Sequence, residues 1–136
     1  MKKPELLRQA LIKEVPYLHI HPEVLSISTE KGVVIATAAE SFSFEYNYIL
    51  NLVISHYADD LNLLVVPMLQ WIKKNQPDLM NNPELRKTGF TFAVDTPNQS
   101  ATNIKISLKL TERVLVSEDH EKNITIKNLS EPELPF

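Results

Sequence analysis

The groups best suited to chemistry in this sequence fall into two small clusters of imidazole and carboxylate. His19 and His21 form an H-x-H pair, with Glu23 two positions further on. On an extended segment such a pair turns both imidazoles to one face, as many zinc sites do. No third ligand follows at a fixed spacing, so a polar loop before Pro22 is the simpler reading. His56 stands near Asp59 and Asp60, a set able to work as a histidine–carboxylate base. No nucleophile or second acid is placed by motif, and helix capping explains the two aspartates more simply. A small metal-dependent or hydrolytic enzyme is the alternative that His56, Asp59 and Asp60 would support.

A third group is aromatic. Phe42, Phe44, Tyr46 and Tyr48 recur every second residue in the stretch SFSFEYNYILNLVISHY, residues 41 to 57. Aromatics on one sheet face can stack nucleic-acid bases, but such platforms need cationic surroundings. The only charged residue among them is Glu45, so a filled core face or a subunit interface remains. The alternation continues through Leu50, Leu52, Ile54 and His56, while the intervening positions begin Ser41, Ser43, Glu45 and Asn47. At about 3.3 Å per residue this run would span roughly 50 Å, whereas a compact chain of this size is roughly 37 Å across. The strand must bend sharply or leave its own domain. Its second half is apolar on both faces, as in a strand covered from both sides. Leu52 and Ile54 are therefore candidate core residues, and Phe42, Phe44, Tyr46 and Tyr48 are candidate interface residues on a projecting half.

The elements that must carry this ribbon can be read from pattern. Residues 4 to 15 form a short helix with Leu7, Ala10, Leu11 and Val15 on one stripe, ended by Pro16. The loop YLHIHPEV follows, then LSIST and VVIATA, flanking a turn at Glu30, Lys31 and Gly32 where glycine would supply a positive φ. LNLLVVPMLQWIKKNQ is the main packing helix, beginning at Pro67 after an irregular turn, with Met68 and Trp71 as core residues. From Gly89 period two returns as a long hairpin turning near Pro97 and Asn98, continued by LTERVLVS and a last short strand, NITIKNL. The expected fold is α+β, a mostly antiparallel sheet with long strands packed against two main helices on one side. Residues 1–128 make one domain, and the acidic, proline-rich residues 129–136 an extended tail.

Composition excludes several classes. The 136 residues hold 14 basic and 17 acidic side chains, a formal charge of −3 without any basic run, which gives no nucleic-acid footprint. Cysteine is absent, so no thiolate metal site or disulfide framework can form. Two glycines cannot build a phosphate-cradling loop, and no cofactor is indicated. The opening MKKPELLRQALIKEV lacks the apolar segment of a signal peptide, and no stretch is long and apolar enough to span a membrane as a helix.

The blocks SFSFEYNYILNLVI, VPMLQWIKKNQPDLM, GFTFAVD, LTERVLV and EPELP, together with the opening MKKP, occur in an order that resembles the tail completion protein R family of contractile-tailed temperate phages. The resemblance runs over nearly the whole chain. It implies a structural protein with no catalytic residues, similar to tail terminator proteins. These cap the head-proximal end of a tail tube as a ring, commonly a hexamer. The partners it implies are copies of the chain itself, tail tube and sheath proteins, and head-completion or connector proteins. The implied location is the virion tail, reached from the host cytoplasm during assembly. The polar H-I-H-P loop and the turn SEDHEKN depart from the family pattern.

Overall fold

The alternating runs become five strands of one antiparallel sheet, described in a computed structural model for residues 1–36, 42–98 and 101–129. The strands are β1 (Leu25–Ala36), β2 (Phe44–Ile54), β3 (Phe90–Asn98), β4 (Ala101–Glu118) and β5 (Ile124–Leu129). Their order is β1-β2-β4-β3, with β5 also on β4. β2 pairs with β4 without interruption from Phe44↔Val114 to Ile54↔Ile104. The other edge of β4 is shared: β3 takes residues up to Leu108, and β5 takes Arg113 to Glu118. β4 thus runs through two differently covered regions.

Two main helices cover the first region. α1 (Lys3–Glu14) buries Leu7 and Leu11, and α3 (Asn62–Asn75) buries Leu64, Met68, Trp71 and Ile72. They meet the inward face of the sheet, Leu50, Leu52 and Ile54 of β2 with Ile104, Ile106, Leu108 and Leu110 of β4, in one apolar cluster. Each such side chain contributes roughly 1.5–3 kcal/mol by leaving water. The expected core residues Leu52, Ile54, Met68 and Trp71 all lie in this cluster.

Three local readings need correction. The turn expected at Glu30 to Gly32 is a β-bulge: two residues of β1, Lys31 and Gly32, oppose one of β2, Tyr48, between Glu30↔Ile49 and Val33↔Asn47. β2 runs straight past this point, so β1 stays paired on both sides and cannot turn. The positive φ falls on Lys31, at 53°, and not on Gly32. The expected loop after Pro16 is helical, as α2 (Pro16–Ile20) and a 3-10 turn (Pro22–Val24). A proline that closes one helix is well placed as the first residue of the next. α3 begins at Asn62, with Pro67 inside it. The carbonyl that Pro67 leaves without a donor belongs to Leu63, on the exposed side of the helix, where water can serve it. The short helices α4 (Asp78–Asn81) and α5 (Leu85–Thr88) fill the stretch between α3 and β3. They press against the start of β3, where a Cβ on Gly89 would come within 2.3 Å of Leu79. The expected tail shares only Leu129 with the described residues, as the end of β5; residues 130–136 lie outside them.

Candidate functional site

The imidazole and carboxylate clusters are not gathered into a reactive site. His21 Nδ1 lies 3.6 Å from Glu23 Oε1 with both side chains exposed, and His19 Nδ1 is 3.3 Å from the Ile12 carbonyl. His56 takes a positive φ of 57°, and what is held is its backbone: its carbonyl accepts the Tyr17 hydroxyl and its N–H donates to Asn103 Oδ1. Asp60 Oδ1 accepts the N–H of Asn62 at 2.8 Å and so serves the free start of α3. Its neighbour Asp59 makes no such bond, although with Asp60 it faces the Tyr57 phenol. Burial first, then these two carboxylates, pushes that phenol up to about 12. Among the described residues no three His, Asp or Glu side chains converge as a metal-ligating group.

What the fold assembles instead is a projecting blade. Beyond the cover of α1 and α3, the sheet continues as residues 33–36 of β1, 44–47 of β2, 111–118 of β4 and all of β5. The bulge at Lys31 makes this continuation possible, because it shifts β1 by one residue and turns Val34 to the face that Ile27 and Leu25 occupy further back. Val34 is nevertheless 63% exposed and Ile126 is 66% exposed, since no helix among the described residues covers them. Ile124 and, on the opposite face, Val33, Ile35 and Leu115 are exposed as well. Phe42, just before β2, is 72% exposed. Phe44 and Tyr46 are half-buried and pack edge to face with ring centroids 5.1 Å apart. Ser43 lengthens the β2–β4 contact beyond its last pair, its hydroxyl accepting the Val116 N–H at 2.9 Å. At the tip, the Asp119 carboxylate accepts the backbone N–H of Asn123 and Glu121 at 2.9 Å each. The Asn123 bond, chiefly, holds it below the usual carboxylate range.

Tyr48 stands apart from the other three aromatics. It is 4% exposed, and its hydroxyl donates to Glu112 Oε2 at 2.6 Å. Burial, then the hydrogen bond and charge of Glu112, pushes this phenol well above its ordinary value. The other oxygen of Glu112 accepts the backbone N–H of Lys2 at 2.6 Å and of Lys3 at 3.4 Å, so the buried carboxylate holds the start of α1. Beside it, Lys3 Nζ donates at 2.6 Å to both Gln76 Oε1 and the Thr111 carbonyl. Gln76, also buried, accepts the Thr111 N–H at 3.0 Å and donates to Asp78 and to the Thr111 hydroxyl. Along the edge of β4, Thr111 falls in the gap between β3 and β5. There the side chains of Gln76 and Lys3 take the hydrogen bonds that a strand would otherwise make.

This polar knot sits where the blade leaves the helix-covered body, and pattern reading missed it because Lys and Gln are ordinarily solvated. One signal was available. Glu112 occupies an inward position in the series Ile104, Ile106, Leu108, Leu110, Glu112, Val114, Val116, where a carboxylate needs dedicated donors. The knot also joins the opening MKKP, FEYNY, NQPD and LTERV, four of the segments that carry the family resemblance.

Comparison with known proteins gives a consistent picture. The family model described as P2 phage tail completion protein R (GpR) matches residues 1–132. A similar relative is the protein named tail completion protein R of Escherichia phage P2, 45% identical over 135 residues, which cover 99% of this chain and 86% of the relative. No solved structure matches.

Proposed function

The chain belongs to the P2 phage tail completion protein R family, and from that premise we propose that it caps the head-proximal end of the tail tube as a ring of identical subunits and offers the surface on which a head is joined. The observation that carries this reading is the blade. It presents apolar side chains on both faces outside the body, and large exposed apolar patches mark contact surfaces. Phe42, with the half-buried Phe44 and Tyr46, forms the part of the blade that meets a neighbouring subunit or the tube. Tyr48 acts from beneath, by fixing the angle at which the blade leaves the body. The role is structural and uses no catalysis. The subunit is made in the host cytoplasm and ends in the virion tail.

Weak self-contact would suit this task, because a ring too unstable to form free in solution cannot cap a tube before the tube is finished. Gold-labelled antibody on purified tails provides the test. Label confined to one end is expected, and label distributed along the tube would overturn the proposal. A companion experiment depletes the protein during assembly, where tubes of uncontrolled length or tails without heads are expected.

A further inference from the structure

A second apolar surface lies away from the blade. Between α3 and β3 runs a groove of about 450 Å³, lined by Leu69, Leu79, Met80, Arg86, Phe90 and Phe92 among others. Phe92 pairs with Ile106 and so points to the same side of the sheet as the core, yet it is 62% exposed because α3 lies over β2 and β4 and stops short of this edge strand. Val94, the next inward residue of β3, is open as well. The rim is basic, with Arg86 in the lining and Lys87 beside it at the end of α5.

We propose that the β4–β5 hairpin of one copy seats in this groove of the next copy. The hairpin has the complementary chemistry. Its tip carries Glu118, Asp119 and Glu121 against the one cation Lys122, a net acidic turn, and its inward face carries the exposed Ile124 and Ile126. The Asp119 carboxylate is tied into its turn by the N–H groups of Glu121 and Asn123, which keeps the charge at the hairpin tip. Isoleucines entering between Phe92 and Met80 would bring this acidic turn toward Arg86. The inference rests on the proposed ring and deepens it: a ring closes through two different patches on each subunit, one receiving and one inserting, and not through one self-complementary patch. Groove and hairpin are such a pair, the groove at the β3 edge of the body and the hairpin on the blade.

The absence of native cysteine makes the test direct. Phe92→Cys and Ile126→Cys are made as separate full-length chains; both positions are exposed, so both should fold, which circular dichroism checks. Each is supplied to tail assembly alone and as an equal mixture, followed by mild oxidation. The expected result is a disulfide-linked dimer from the mixture and none from either variant alone, with loss of that dimer when Arg86→Glu is added to the Phe92→Cys chain. A dimer from one variant alone would mean a self-complementary contact and overturn the inference. So would tails that incorporate both variants, labelled at one end, without any cross-link; in that case the ring reading stands and only this contact fails. A cross-link from Phe92→Cys to a cysteine placed on the tube protein would assign the groove to the tube and overturn it too.

Discussion

β2 and β4 pass through two regions built on the same alternating pattern, and the regions differ only in what lies above them. In the body, Leu50, Leu52, Leu108 and Leu110 are buried beneath α1 and α3. In the blade, the same inward face continues through Val34 and Ile126, which stay open, while Tyr46 at the boundary still packs against the core cluster. Binary pattern therefore specifies which side of a strand is apolar, but not who covers it. Cover from the same chain yields stability, and cover from another chain yields assembly.

Substitutions should separate the two regions. Leu52→Ala, in the body, removes a side chain buried to 0% exposure and should destabilise the isolated chain by about 2–5 kcal/mol, read by denaturant unfolding. A loss below about 1 kcal/mol, close to what surface substitutions cost, would mean that the body is less tightly packed than described. At the boundary, Glu112→Gln keeps the shape but loses an acceptor for either Tyr48 or the start of α1, and should cost about 1–3 kcal/mol. Hydrogen exchange at Lys2, Lys3 and the blade amides should rise in the same variant. Unchanged protection there would show that the knot does not hold the blade.

The buried phenols predict a pH dependence. Tyr48 and Tyr57 both have raised values in the folded chain, chiefly through burial. Unfolded tyrosine ionises near about 10. Their contribution is therefore complete below that pH and lost as pH rises above it, through about 12 for Tyr57. Melting temperature should fall above pH ~10, and Tyr48→Phe should flatten the fall. An equal slope in wild type and variant would remove Tyr48 from the account. The smallest effect on folding belongs to the blade. Phe42→Ser should change stability by no more than about 0.5 kcal/mol, because the ring is exposed, while tail completion falls in a complementation assay. A collapse in melting temperature would place Phe42 in the core of its own chain. The half-buried Phe44, locked edge to face with Tyr46, should lie between the two extremes.

The main elements were legible because long runs of period two and one helical stripe need no tertiary information. The ribbon's length was overread: of residues 41 to 57 only Phe44–Ile54 form β2, and His56, at a positive φ, lies beyond its end. Local punctuation was less legible. Gly32 between two β-runs fits a turn or a bulge equally, and only the unbroken partner strand decides for the bulge. Pro16 fits the end of a helix and the start of the next. Grouping Tyr48 with Phe42 by spacing missed a boundary that is set by the reach of the helices and by Glu112, residues far away in sequence.

The knot has a consequence for the order of events during synthesis. Glu112 grips the backbone of Lys2 across 110 residues, and Lys3 reaches Thr111 across 108. Contacts between positions so far apart cannot form until most of the chain has left the ribosome, and they close late because of the loop entropy they must overcome. The first residues made thus wait for some of the last, and α1 is anchored only when β4 arrives. A nascent or truncated chain that ends before Thr111 therefore has neither a fastened first helix nor the polar knot at the base of the blade.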